Sequence, residues 1–411
     1  MREDVITITL GMPEFRVLRV KEGRHLIEVW VEKITTSEAC PGCGYFSDQG
    51  YDERWDDIWD QPVWDKGVLI WVRKRRFSCK HLLCSYYQQD KPFAQLYGSF
   101  GPSDRRTYRF DRYIYRLAKR MAHTDVVKEL AVCHTPISDN TVGRIYHRLG
   151  QEELAGYEPG RLAAIGIDEY SVWRGHRYAT IITDPVRHRV IETFLGRDKE
   201  TVVAHLRALF PPKSIKLAVM DMHGGYENAV LTACPGAKII IDKFHVVSVV
   251  MDALDATRKR IQRERTKTQG RRIFKLRKLL RKARQDLDDE GQDHLDTIFA
   301  QEPDLETAYQ LKEDFRDWYQ LTIPEQAKTD LAKWYQRVED SQLLEWQAAL
   351  ETLRNHETQI INYFYWPLTN AFTEGKNNIV GVVKRRAYGF RNFSNLRHRI
   401  FLEGTRLVIT T

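Results

Sequence analysis

A chain of 411 residues, 42% hydrophobic and 11% aromatic, has the material for two to four folded units and argues against wholesale disorder. Its 64 Lys and Arg against 56 Asp and Glu leave a net charge of +8 and a pI near 9.0, which favours a polyanionic partner. A membrane is set aside, because no uncharged apolar run approaches the roughly 20 residues of a spanning helix, and MREDVITITL lacks the layout of a signal peptide.

Residues 1–100 read as a β-rich unit, with Trp and Tyr in short runs such as EVWVEKI and VLIWVRKRRF. Four of the six cysteines fall here in two close pairs, Cys40/Cys43 and Cys79/Cys84. Two such pairs on separate turns suit one tetrahedral Zn²⁺ bound by four thiolates. His81 could replace one thiolate, and a redox motif or chance is the plainer reading of a lone CxxC. Cys133 and Cys234 stand apart and read as small core residues.

Residues 101–155 change to helical spacing in RYIYRLAKRM, DVVKELAV and NTVGRIYHRLG. The proportions predict a helix-turn-helix, with Asp125–Ala131 as its first helix and Ser138 or Asp139 capping a second over Asn140–Leu149. Asn140, Thr141, Arg144 and His147 would then face a DNA groove. A plain helical linker is the competing reading.

Residues 160–248 alternate differently. AAIGIDEYSVW, RYATIITD and RVIETFL are strands, the last two joined by a turn at Asp184–Pro185. A helix (KETVVAHLRALF), a strand (IKLAVMD), a helix (YENAVLTAC) and a strand (KIIIDKF) follow, which predicts an α/β mixed sheet. Residues 249–362 are helical almost throughout. Their opening stretch, 258–284, carries 14 Lys and Arg and one acid, Glu264. A solvated face is the usual fate of a charge run, but the lack of local acids favours phosphate contact by Arg271, Arg272, Lys275 and Lys278. Residues 363–411 form a last, basic segment.

Two acids stand out in the sheet. Asp168 lies within an apolar strand and Asp221 ends another, and a buried acid is costly unless it is paired or holds a metal. Either alone reads as a strand-end Asp bonded to backbone. A third, Glu374, opens a helix whose polar side runs through Asn377, Asn378, Gly381 and Lys384. Beyond it Lys384, Arg385, Arg386 and Arg391 mix with Tyr388, Phe390 and Phe393, a composition suited to phosphate contact and base stacking.

These blocks carry a resemblance. WPLTNAFTEGKNNIVGVVKRRAYGFRNFSNLRHRIF, with IGIDEYSVWRGHRYATIITD, VMDMHGGYENAV and IIDKFHVV before it in the same order, resembles the ISL-three family of bacterial insertion-sequence transposases. The resemblance implies an RNase-H-like catalytic domain with Asp168, Asp221 and Glu374 as its acidic triad, and 246–365 as a helical insertion. It agrees with a zinc finger and a helix-turn-helix at the N-terminal side. Asp242 and His245 also match the family and sit at a strand end near the predicted site, where structural hydrogen bonding is the plainer reading and a part in the chemistry the alternative. The expected architecture is therefore multidomain α/β: a zinc-binding module, a helix-turn-helix, and an RNase-H-like mixed sheet with a long helical insertion. The expected cofactors are two Mg²⁺ or Mn²⁺ ions at the triad and one structural Zn²⁺. The expected partner is double-stranded DNA, both the element's terminal inverted repeats and the target, bound by a homodimer or larger assembly at the bacterial nucleoid in the cytoplasm. A regulator with an inactive catalytic domain, or a nuclease that cuts without joining, are the alternatives. An ATP-driven machine is disfavoured because no GxxxxGK[ST] loop occurs.

Overall fold

The computed structural model describes residues 11–101, 104–155, 162–173, 175, 177–222 and 224–404. MREDVITITL, read above as lacking the layout of a signal peptide, lies outside the described residues. The chain divides into two compact units, Met1–Tyr157 with Val382–Glu403, and Glu158–Gly381 with Gly404–Thr411.

The first unit is built on a sheet of β1 (Phe15–Glu22), β2 (Leu26–Lys33), β5 (Gly50–Val63), β6 (Lys66–Phe77) and β7 (Phe93–Ala94), with β3 (Glu38–Ala39) and β4 (Phe46–Ser47) as a separate small pair. The order is β1-β2-β6-β5, with β7 also against β6. Side chains alternate across a strand, so Val29 and Val31 of β2 join Val68, Ile70 and Val72 of β6 in one core with Phe15, Ile58 and Phe100. Trp30 and Trp71 are register partners and stack at 6.3 Å. A short helix α1 (Ser85–Gln88) is followed by α2 (Tyr108–Ala118), α3 (His123–Val132) and α4 (Asp139–Leu154). Thr107 caps α2 and Ser138 caps α4, each accepting from the amide three residues on. Phe110, Ile114, Val126, Leu130, Val142, Ile145 and Tyr146 form the core of this helical group.

In the second unit the strands are β8 (Ala164–Trp173), β9 (Arg177–Asp184), β10 (Arg189–Leu195), β11 (Leu217–Met220) and β12 (Lys238–Ile241), in the order β10-β9-β8-β11-β12. β10, β9 and β8 pair antiparallel, whereas β8, β11 and β12 run parallel. Parallel strands covered on both faces read as unbroken apolar runs, as LAVM and KIII do. Helices α5 (Lys199–Leu209) and α6 (Gly224–Ala233) connect them. The turn after β9 is closed by buried Asp184, whose Oδ1 accepts from Val186 and Arg187 amides.

A helical stretch follows: α7 (Lys243–Glu264), α8 (Lys267–Lys275), α9 (Asp289–Phe299), α10 (Pro303–Trp318), α11 (Pro324–Asp340), α12 (Gln347–Asn355) and α13 (Glu357–Tyr365). Pro303 and Pro324 open α10 and α11, where a missing amide costs nothing. Leu331, Trp334, Tyr335 and Val338 of α11 share the apolar cluster that also holds the sheet residues Ile165, Ile167 and Met220. Asn362 Nδ2 donates to Ile239 O at 2.8 Å, tying α13 to β12. The last helices are α14 (Ala371–Arg386) and α15 (Phe393–Gly404), and the division between units falls within α14.

Candidate functional site

β8 and β11 are neighbours, and this brings the first two acids side by side. Asp168 Oδ1 accepts from the Glu169 amide at 2.7 Å, and its Oδ2 accepts from Asn377 Nδ2, also at 2.7 Å. Burial, and then the charge of Asp221, push the Asp168 carboxyl up to about 7. Asp221 Oδ1 lies 2.7 Å from His245 Nε2, and this contact raises the histidine's pKa. Neither aspartate has a Lys or Arg partner among the described residues. Asn370 Oδ1 and Asn377 Oδ1 are buried beside them without a hydrogen-bond partner. Hard oxygen donors short of positive charge are the arrangement that a divalent cation relieves.

Glu374 is exposed in the first turn of α14, one helical turn before Asn377. The three acids are not drawn into a tight cluster. Among the described residues only the four paired cysteines bring three or more His, Cys, Asp or Glu ligand atoms within 4.8 Å.

What fixes the start of α14 is a set of polar contacts that sequence reading missed. The Asn370 amide donates to Asp242 Oδ2 at 2.8 Å, and Asn370 Nδ2 to Ile167 O at 3.1 Å. Asp242 is 1% exposed, and its Oδ1 also caps α7 through the Phe244 amide. Thr373 and Thr183 hydroxyls bond at 2.7 Å. Asn370, Thr373, Glu374 and Asn377 recur at helical spacing, and that stripe was the available signal. Gly166 of β8 leaves room for this seam: a Cβ there would stand 2.5 Å from Thr373 Oγ1 and 2.8 Å from Asn370 Oδ1. Gly166→Ala is therefore expected to cost about 1–3 kcal/mol and to cut DNA cleavage at least about tenfold as α14 shifts. Thermal melts and a cleavage assay check it, and an unchanged rate means α14 has no need of this fit.

The cysteine pairs converge from two knuckle-like turns. Cys40 Sγ and Cys84 Sγ are 3.7 Å apart, as are Cys43 Sγ and Cys79 Sγ. A tetrahedral zinc with Zn–S bonds of about 2.3 Å needs sulfur separations of about 3.8 Å, so the four thiols fit one ion. The Gly42 and His81 amides point at Cys40 and Cys79 sulfurs, both at 3.4 Å, and Gly44 closes its turn at φ 71°. The His81 side chain is not in the cluster. Burial raises the Cys79 thiol pKa; at Cys84 the Tyr86 amide and neighbouring thiols outweigh burial and lower it.

On α4, Asn140 and Arg144 are exposed, while Thr141 and His147 are half-buried. Thr141 Oγ1 bonds to Ser138 Oγ and accepts from Arg144 Nη2, so its hydroxyl serves the helix start. In the basic run, Arg258 and Lys259 pair with Asp255, Arg260 with Asp304 and Glu345, Arg265 with Glu302, and Arg284 with Asp296. Arg271, Arg272, Lys275 and Lys278 remain exposed, with no acid partner among the described residues. Ile273, Leu276, Leu280 and Leu287 are all buried, which turns those four cations outward. Arg385 and Arg391 are exposed, Lys384 is half-buried with its pKa lowered by that burial, and Arg386 pairs with Glu403.

No helix among the described residues is long and apolar enough to cross a membrane. Two protein-family models match the chain. One, for the DDE domain of ISL3-type transposases, covers residues 165–400, and the other, the zinc-finger of transposases IS204, IS1001, IS1096 and IS1165, covers residues 36–84. The transposase for insertion sequence element IS1001 of Bordetella parapertussis is 26% identical over 389 residues, 90% of this chain and 89% of that relative. The transposase for insertion sequence element IS1557 of Mycobacterium tuberculosis is 27% identical over 313 residues, 70% of this chain and 69% of that relative. The DDE match spans more than half of the sequence, from the strand that bears Asp168 to the last helix, and the chain therefore belongs to the ISL3 family of transposases.

Proposed function

We propose that this transposase cuts DNA at the ends of its insertion sequence and joins them to target DNA, using Asp168, Asp221 and Glu374 to hold two Mg²⁺ or Mn²⁺ ions. The observation that carries the reading is the pair Asp168 and Asp221, adjacent on β8 and β11 with no Lys or Arg partner among the described residues, and bonded through Asn377 to the helix of Glu374. Such an ion pair would activate an attacking oxygen and stabilise the leaving one in an in-line phosphoryl displacement. The chain's own part is orientation: Asn377 holds one Asp168 oxygen, His245 stands against Asp221, and Asp242 anchors the approach to Glu374. Water as nucleophile gives cleavage and a DNA 3′-hydroxyl gives joining. The test is strand transfer with pre-cleaved ends, and cleavage without any joining would make the protein a nuclease.

The sheet order, three antiparallel strands followed by two parallel ones, supports an RNase-H-like fold for the second unit. The Ser138-capped α4, with Asn140 and Arg144 exposed, supports a helix-turn-helix that reads the element ends, with Thr141 and His147 on the same side. One Zn²⁺ on Cys40, Cys43, Cys79 and Cys84 holds the finger beside it. The two ends of an element call for at least two protomers, working at the bacterial nucleoid in the cytoplasm. Lys384, Arg385, Arg386 and Arg391 add further backbone contacts.

Arg271, Arg272, Lys275 and Lys278 are assigned to the DNA backbone. Each phosphate neutralised adds about 0.9 to the negative slope of log affinity against log salt. Replacing all four by Gln is expected to lower that slope by about 3 to 4 and to weaken every DNA sequence alike. An unchanged slope in binding titrations would make the run a solvated face.

A further inference from the structure

A cavity of about 230 Å³ lies wholly within the first unit, where the start of α3, the middle of α4 and residues 387–399 meet. His123, Thr124, Tyr146, His147, Arg391 and Asn395 line it, with Arg399, and among the described residues no carboxylate does. α3 starts at this cavity with Ala122 as its N-cap, and no side chain caps its first turn. An uncapped start leaves the first amide N–H groups, those of His123 and Thr124, to meet an anion, while the Asp125 carboxylate in the same turn is paired with Lys128.

The second feature is independent of the helix. Tyr146 is 2% exposed, and its hydroxyl has no hydrogen-bond partner among the described residues. A buried hydroxyl without a partner lowers stability, so its retention points to a group that arrives later. The surroundings are electropositive. Arg399 is 2% exposed and held by Ala118 O, Met121 O and Glu403, and its guanidinium sits 5.6 Å over the Tyr146 ring. Glu403 is shared between Arg399 and Arg386, which leaves one positive charge uncompensated. Burial, and then the charges of Arg399 and His147, lower the His123 pKa. Arg391 is exposed with no acid partner among the described residues.

We propose that this cavity is a phosphate site that takes a backbone phosphodiester of the DNA, held by the first amides of α3, the Tyr146 hydroxyl and Arg391. The inference rests on the reading of the first unit as a DNA binder and adds to it a contact point outside α4's exposed side. It also gives residues 387–399, which follow Glu374 in the chain, a share in holding the DNA on which α4 works. Because the contacts are to phosphate, they fix position and carry no sequence information.

The test uses the full chain and two variants, Tyr146→Phe and Arg391→Gln. Tyr146→Phe removes the hydroxyl and keeps the ring, so its Tm should equal or exceed that of the unaltered chain. Its affinity should fall about tenfold on element ends and random duplex alike. Arg391→Gln should lower the salt slope by about 1. Inorganic phosphate, compared with chloride at equal ionic strength, should raise the Tm of the unaltered chain slightly and leave that of Arg391→Gln unchanged. Full DNA affinity in Tyr146→Phe, or an unchanged slope in Arg391→Gln, overturns the proposal. If phosphate still stabilises the chain in that case, the ligand is free phosphate and the DNA contact is likewise overturned. Arg144→Ala separates the two levels: if it weakens binding to element ends while the cavity variants do not, the site fails and the DNA-binding reading stands. If none of the three variants changes DNA affinity, both fail.

Discussion

Asp168→Ala, Asp221→Ala and Glu374→Ala are each expected to reduce DNA cleavage about a thousandfold or more, with DNA affinity within about twofold of the unaltered chain. A bound divalent ion supplies several kcal/mol of transition-state charge stabilisation, and each 1.4 kcal/mol or so is a factor of ten in rate. DNA affinity should be spared, because the cations proposed to hold the DNA lie elsewhere in the chain. A variant that keeps more than about a tenth of the cleavage rate removes that acid from the triad. Asp168 adds a second readout. Burial and Asp221 keep its carboxyl protonated up to about 7, so the metal-free fold binds more protons than the unfolded chain between the ordinary carboxylate range and that value. Metal-free stability therefore falls as pH rises through that window. Mg²⁺ must displace the proton, so it should raise Tm more at pH 8 than at pH 6, and the difference should vanish in Asp168→Ala.

The second large effect concerns the four thiols. Freshly purified, reduced protein should carry about one zinc per chain, and Cys43→Ser should lose it. Cys43 is exposed, so the change removes a ligand without opening a cavity in the core. Structural zinc sites of this kind contribute about 10–16 kcal/mol to local folding. Without the ion, residues 36–84 should become open to limited proteolysis while the second unit melts as before. Metal analysis that finds no zinc in the reduced protein rules the site out.

The parts of the fold that sequence made legible are those whose signal is local. The order of strands and helices from β8 to β12 follows from apolar runs and helical spacing, and Ser138 caps α4 as its sequence position predicts. The two aspartates stand out because an acid in an apolar strand is a local anomaly. What was not legible depends on partners far along the chain. Arg260 meets Asp304 and Glu345, which lie 44 and 85 residues away, so a window that contains only Glu264 overstates the free charge. The seam around Gly166 joins residues up to 209 positions apart, and its members are ordinary Asn, Thr and Gly. Only their common face on α14 hinted at it.

The bond between Asp242 and the Asn370 amide spans 128 residues, which means that the chain leaves the sheet for its helices and comes back to nearly the same point. The entropy of closing a loop grows only with the logarithm of its length, about 0.6 kcal/mol for each doubling. Helices could thus be gained or lost between these two positions over evolutionary time with little effect on the sheet, provided both ends still meet. The order of folding is less forgiving. A contact this distant forms late, after the intervening helices have condensed, so α14 should be among the last elements to settle. A newly made chain would then acquire its sheet well before it could cut DNA, and stopped-flow refolding followed by recovery of cleavage would show the lag.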